Sequence, residues 1–436
     1  MASARANDSY AWLSAVEIAR KVSAGNLDPQ AVVRAQLAAI DRHDSRIHAF
    51  VFVDHNARSS PGPESGVTLA VKDSQPVAGM PWTYGTAAWR DRRADEDAVP
   101  VARARAAGMA ILGKTNLPEL AASVGTVNTL FPATQNPWRQ GITPGGSSGG
   151  SGAAVAAGMA CVAMGEDMGG SIRIPASCCG VVGLRPSPDR VPSEMVDAAG
   201  LSSRGPIART VADARILFSV ITGTKPDRLQ DAHRRYRIGV ADTSPLGADA
   251  ACRDACRRAA DALEGAGHHM EWIEWEPEPV ARGYGLVRRA SMASFPADMS
   301  QFGPGIRQLA EEGRSLTAVD YFHAFEAATN AANRAVTRPL QSGLDFLLTP
   351  TLGLLPMPIE KVPPFLGEDW SRYVQFVLPV SFARVPAVSI PAGTHDGLPV
   401  GVQLVGQFSQ EWELLDFAEQ LEVMPGFGFH RPPDLE

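Results

Sequence analysis

Between residues 10 and 54 the apolar positions recur three or four apart: Trp12, Leu13, Val16, Ile18 and Ala19, then Val32, Val33, Leu37 and Ile40. That is the period of a helix with one buried face, so residues 10–54 are predicted helical. Asp28-Pro29 supplies an N-cap followed by proline at the first helical position. The pattern lapses over 55–66, where HNARSSPGPESG reads as a loop. It resumes as a short apolar strand from Val67 to Val71 that closes on Lys72. Further strands are predicted at Met109–Leu112, Arg237–Val240, His269–Trp272, Phe346–Leu348, Ala387–Ile390 and Val400–Val405. Helices are predicted at Val99–Ala107 and Ala251–Ala266. Strands alternating with helices argue for an α/β layered fold around a large mixed sheet, with helices covering both faces.

Two stretches break the alternation. Residues 141–165 contain no charged side chain. The first half is Thr, Pro, Gly and Ser, and the apolar part, Ala153–Gly165, is too short and too rich in Ala and Gly to span a bilayer. It reads as a buried small-residue helix. Residues 275–375 are the least regular and carry Gly303, Pro304, Pro356, Pro358, Pro363 and Pro364, so substrate-facing loops are expected there.

Composition narrows the class. With 40 Lys+Arg against 47 Asp+Glu the formal charge is −7, which disfavours a nucleic-acid groove. At 45% apolar and 20% charged residues, disordered and fibrous classes are excluded. The 436 residues exceed the size of one ordinary core. Five cysteines, two of them adjacent at Cys178 and Cys179, make no disulfide framework and point to reduced thiols in a cytoplasmic protein. Cys252 and Cys256, four apart on a helix, read as packed thiols, since a zinc site needs two more ligands at motif spacing. The first residues hold no apolar secretory core, so no signal peptide is expected.

The densest chemistry lies at 145–176, GGSSGGSGAAVAAGMACVAMGEDMGGSIRIPA. Two glycine-rich turns, Gly145–Gly150 and Gly169–Ser171, flank the small-residue segment. Such turns let backbone approach a ligand closely and line up N–H groups toward an anion. A serine at the end of such a run sits where a nucleophile and an oxyanion hole must be neighbours. The phosphate loop G-x-x-x-x-G-K-[ST] is absent, and G-x-S-x-G fails because Ile172 and Arg173 follow Ser171.

A serine nucleophile needs a base. The nine histidines, His43, His48, His55, His233, His268, His269, His323, His395 and His430, lie in surface-like contexts. Lys72 is the better candidate. At the end of an apolar strand it would be poorly solvated, which favours the neutral amine. Pairing with the adjacent Asp73 is the other reading of the same residue.

The segment through Gly145, Gly146, Ser147, Gly150, Asp167, Gly169, Ser171, Ile172, Arg173 and Pro175 resembles the amidase signature family of Ser-Ser-Lys hydrolases. AVKDS at 70–74, GKTN at 113–116, NPW at 136–138, GLRPS at 183–187, GPIARTVADA at 205–214 and GLPVGVQLVG at 397–406 agree in order. The resemblance implies one amidase domain over 1–436: a helical segment 1–66, a signature core 67–220, and the rest of the sheet with its substrate-facing loops 221–436. It implies Ser171 as nucleophile, Ser147 after a cis peptide as bridge, and Lys72 as a base that is neutral at rest. Backbone N–H groups of Met168, Gly169, Gly170 and Ser171 would form the oxyanion hole. Asp167, Arg173 and Gly146 would support the turns, and Ala121, with Ser123 close by, matches a substrate-contact position.

The implied reaction is hydrolysis of an amide-type bond in a small molecule through an acyl-enzyme, with no cofactor, metal, nucleic acid or membrane involved. Amides, aryl acylamides, carbamates and ureas are all substrates within the family. Residues 281–305 and 352–376 carry Tyr284, Leu286, Met292, Phe295, Met299, Phe302, Leu354, Met357, Phe365, Trp370, Tyr373 and Phe376, which suggest either an aryl-binding wall or core. The competing reading is the glutamine-hydrolysing subunit of a tRNA-dependent amidotransferase. Against it, the usual Asn-Leu-x-Gly-x-Pro-Ala segment reads Ser381-Phe382-Ala383-Arg384-Val385-Pro386-Ala387. A non-catalytic binding protein is a third reading, opposed by Lys72, Ser147 and Ser171 all being present. Family habit suggests a homodimer, with Trp12, Trp82, Trp89 and Trp412 as candidates for the interface.

Overall fold

The computed structural model describes residues 9–193, 197–225, 234–295, 298–363, 365 and 367–435. An 11-stranded mixed sheet runs through them. Its strands are β1 Phe50–Val53, β2 Thr68–Lys72, β3 Ala110–Thr115, β4 Val162–Asp167, β5 Val182–Arg185, β6 Ser203–Ala208, β7 Arg237–Val240, β8 His269–Trp272, β9 Phe346–Pro350, β10 Ala387–His395 and β11 Leu398–Val405. They lie in the order β1-β3-β2-β4-β6-β5-β10-β11-β9-β7-β8. β2 is parallel to both β3 and β4, and β7 is parallel to both β8 and β9. The other neighbours are antiparallel.

Alternation along the central strands loads both faces. Leu69 and Val71 of β2, with Val162 and Met164 of β4, enter one core with the helix Val211–Thr222. Ala70 and Ala163 enter a second core with the helices Pro29–Ile47 and Gly149–Ala156. The helix Gly149–Ala156 is buried along its whole length, and its Gly, Ser and Ala side chains let it pass close to the sheet.

Three expectations are corrected. Residues 10–54 are not helical throughout: the helix ends at Ile47, and Phe50–Val53 forms β1. The Asp44 carboxylate accepts the N–H groups of Ala49 (2.6 Å) and Phe50 (3.3 Å), which turns the chain into an edge pairing with β3. Ala153–Gly165 is not one helix either. The chain leaves the helix after Ala156, turns near Gly158 and enters β4, where Ala163 pairs with Ala70. Finally, much of 275–375 is regular. It contains the helices Glu278–Ala293, Pro304–Arg314 and Ala318–Ala332, and its prolines often open helices instead of breaking them, as at Pro304. Irregular chain remains at 351–358, and Pro364 lies outside the described residues.

Side-chain fates follow. All five cysteines are free and buried, with Cys252 and Cys256 packed into one core. His268 is not a surface residue: it is buried, stacks on Tyr236 and accepts its N–H at 3.2 Å. His233 lies outside the described residues. The four tryptophans are engaged internally: Trp12 against Phe429, Trp412 against Phe218, and Trp82 and Trp89 on either side of Arg92. No described helix is long and apolar enough to cross a membrane.

Candidate active site

Parallel pairing of β2 with β4 brings Lys72 at the end of one strand beside Glu166 and Asp167 at the end of the other. Lys72 is completely buried; its Nζ donates to Ser147 Oγ at 2.7 Å and to the Glu166 carbonyl at 3.4 Å. Burial pushes its pKa down from 10.5 to about 8; Glu166 and Asp167 oppose that shift and Arg288 adds to it. Asp73 does not pair with Lys72. Its carboxylate forms an ion pair with Lys114 at 3.1 Å and accepts the Thr83 N–H at 2.9 Å. Of the two readings of Lys72, the geometry leaves the desolvated amine facing a serine.

The peptide bond before Ser147 is cis. The turn that carries it is held by Thr126 Oγ1 on the Gly145 carbonyl (2.7 Å) and by Gly145 N–H on Thr143 Oγ1 (3.1 Å). Gly146 leaves no room for a side chain, because a Cβ there would stand 2.8 Å from the Ser123 carbonyl oxygen. The first turn is tied to the second through the Ser148 N–H, which donates to the Ser171 carbonyl at 3.1 Å.

The second turn is built around Asp167. Its carboxylate accepts N–H groups of Gly170 (2.7 Å) and Ile172 (3.2 Å) and a two-point contact from Arg173, Nε and Nη2 both at 3.0 Å. Burial alone would raise the Asp167 pKa, but Arg173 and Arg185 hold it well below the carboxylate range. Arg173 is itself fully buried and reaches the Val377 carbonyl (3.0 Å), Gln403 Oε1 (2.6 Å) and Ser381 Oγ (2.9 Å). Gly170 has φ +107°, a left-handed region that only glycine enters freely.

This arrangement differs from expectation at Gly170. Its N–H is committed to Asp167, whereas the N–H groups of Met168, Gly169 and Ser171 make no hydrogen bond among the described residues. Three free donors therefore line the turn that carries Ser171.

Lys72, Ser147 and Ser171 open onto one cavity of about 370 Å³. Ala121 and Met168 also line it, while Ser123 stands behind it, its Oγ accepting the Gly125 N–H. Tyr284, Met292 and Phe295 from the expected aromatic set reach the cavity. Phe302, Trp370, Tyr373 and Phe376 are buried core, and Leu286 faces another groove of about 690 Å³ that holds neither lysine nor serines. The sequence reading missed Trp82, Tyr84, Trp89, Arg92, Glu166 and Arg288 in this wall. For Arg288 a signal existed: it falls on the helical stripe Val280, Tyr284, Val287, Met292, where a charged residue is out of place. No described cluster of His, Cys, Asp or Glu is arranged to hold a metal.

The segment Ser381–Ala387 stands behind Arg173, and none of it lines the cavity. Arg384 takes φ +60° at the position where the usual segment has glycine.

Fold and site together place the protein among amide-hydrolysing enzymes. Residues 31–415 match the Amidase family model, and the chain belongs to the amidase signature family. The chain is 30% identical to the acylamidase of Rhodococcus erythropolis, covering 97% of this chain and 98% of that protein. It is 31% identical to one subunit of the glutamyl-tRNA(Gln) amidotransferase of Carboxydothermus hydrogenoformans, covering 97% and 99%. A solved structure of 6-aminohexanoate cyclic dimer hydrolase with its substrate superposes with a TM-score of 0.87 at 29% identity, covering 98% of this chain and all of that one.

Proposed function

We propose that this protein hydrolyses small amides or aryl carbamates through a serine acyl-enzyme, with Ser171 as nucleophile, Ser147 as proton bridge and Lys72 as base. The observation that carries the reading is the buried Lys72 amine 2.7 Å from Ser147 Oγ, on the cavity that also holds Ser171. Ser171 Oγ attacks the carbonyl carbon while its proton passes to Ser147 and the Ser147 proton passes to Lys72. The negative charge that forms on the substrate oxygen faces the N–H groups of Met168, Gly169 and Ser171. Each such donor is worth about 3–4 kcal/mol in comparable sites. Collapse expels the nitrogen, which takes the proton of Ser147, and Lys72 returns its own to Ser147. Water then attacks the ester by the same route and restores Ser171. With Lys72 titrating at about 8, the base is mainly protonated at pH 7 and becomes neutral above it.

A cavity of about 370 Å³ walled by Trp82, Tyr84, Trp89 and Phe295 suits a single-ring amide better than a long chain. The test is release of 4-nitroaniline from 4-nitroacetanilide and from methyl N-(4-nitrophenyl)carbamate, with Ser171→Ala as control. Turnover of either, abolished in the variant, supports the reading. Turnover that survives in Ser171→Ala overturns it. Hydrolysis of glutamine with neither anilide cleaved would favour the amidotransferase reading instead, the one raised by the Carboxydothermus relative.

A further inference from the structure

Among the described residues, no carboxylate forms an ion pair with the Arg288 guanidinium. Arg288 is 8% exposed and lines the cavity of Lys72 and Ser171. Nη2 donates to the Leu120 carbonyl at 3.0 Å, Nη1 rests on Met168 Sδ at 3.8 Å, and Nε is buried without a partner. Three other buried cations have carboxylates: Lys114 has Asp73, and Arg173 and Arg185 share Asp167. The described acids along the cavity have other partners. Glu166 accepts Ser74 Oγ at 2.9 Å. Asp197 accepts the N–H groups of Ala199, Leu201 and Ser202 at 3.0, 2.8 and 2.6 Å. Asp189 is almost wholly exposed, 3.9 Å from Arg384.

A guanidinium stays protonated in proteins, and a buried one is unfavourable until an anion meets it. Its planar fork fits a carboxylate through two N–H groups. Resting on the amide-hydrolase reading above, we infer that Arg288 binds a carboxylate of the substrate, so that the preferred substrate is an amide bearing a negative charge. The rest of that substrate would lie along Met292, from the same helix, and Phe295, just beyond its end, which line the same cavity.

The experiment compares kcat/KM within two pairs of anilides. Succinyl-4-nitroanilide against butyryl-4-nitroanilide places the carboxylate on the acyl side; 4-acetamidobenzoate against 4-methylacetanilide places it on the leaving side. Each pair is measured for wild type, Arg288→Lys and Arg288→Met. The ratio within a pair cancels any effect of Arg288 on Lys72. The wild type is expected to favour the charged member of one pair by about 10- to 100-fold, mostly through KM. Arg288→Met should bring that ratio to one or below, Arg288→Lys should keep part of it, and the melting temperature of Arg288→Met should not fall. Binding of the charged anilides to the inert Ser171→Ala protein should weaken at least tenfold when Arg288→Met is added, which reads the inference without turnover. A ratio unchanged in Arg288→Met, or an equal fall for both members of each pair, overturns it. Glutamine is assayed alongside: glutaminase activity lost in Arg288→Met supports carboxylate recognition with glutamine as the charged amide. Cleavage of the neutral anilides by Ser171→Ala would sink the hydrolase reading itself, independently of the ratios.

Discussion

Lys72 is the residue on which the proposed proton route turns, and its environment makes a quantitative claim. A fall in pKa from 10.5 to about 8 corresponds to roughly 3 kcal/mol of added cost for the ammonium form, at ~1.4 kcal/mol per tenfold change. If the neutral amine is the base, kcat/KM should rise with pH and level off above about 8. Replacing Lys72 with Ala should lower kcat/KM by about 10²- to 10⁴-fold or more and abolish that limb. Lys72→Arg should be equally inactive, because its guanidinium does not release its proton. The same shift has a consequence for stability. The folded pKa lies below the unfolded one, so between pH 8 and 10.5 the unfolded chain binds more protons at this position. Wild-type stability should therefore gain up to about 3 kcal/mol over that window relative to Lys72→Met, in which the titrating group is absent. The assays are a pH–rate profile from 6 to 10 and urea unfolding of both proteins at pH 7.5 and 10.5. A flat profile, a limb that persists in Lys72→Ala, or a stability gap that does not move with pH would refute the argument.

Two further outcomes test the turn that carries Ser171. Arg173→Met leaves the buried Asp167 carboxylate with the longer Arg185 contact of 3.5 Å as its ion pair, so urea unfolding should show a loss of about 3–5 kcal/mol; an unchanged midpoint would contradict the role given to the pair. Gly169→Ala puts a Cβ 2.7 Å from the Tyr284 ring, which is stacked on Trp370 and cannot withdraw. Because that displaces the free N–H groups, kcat should fall at least about tenfold with KM little changed, and adding Tyr284→Ala should restore part of it; no kcat effect would mean the turn does not supply the donors.

Much of the frame is written locally. Asp28-Pro29 does start the helix Pro29–Ile47, Arg237–Val240 and His269–Trp272 are strands to the residue, and the apolar run before Lys72 is β2. Each depends on side chains within a few positions, which is the range that periodicity and capping report. The elements it misses are of another kind. β6, Ser203–Ala208, contains Gly205 and Pro206, both weak strand formers, yet it lies between β4 and β5 because antiparallel pairing on either side outweighs weak strand propensity. β4 follows the small-residue helix too closely for a change of period to show.

What the sequence alone determined about this protein is the strand that ends at Lys72, the two glycine-rich turns and the serines they carry, since motif and spacing are properties of neighbouring residues. Tertiary structure decided which charges meet. Asp73 goes to Lys114 and leaves Lys72 to Ser147; Asp167 claims the Gly170 N–H; and Arg288 arrives at the cavity from a distant helix with no ion-pair partner among the described residues. Charge pairing and cavity walls are set by contacts between segments far apart in the chain, and the order of strands in the sheet, not the local pattern, brings those segments together.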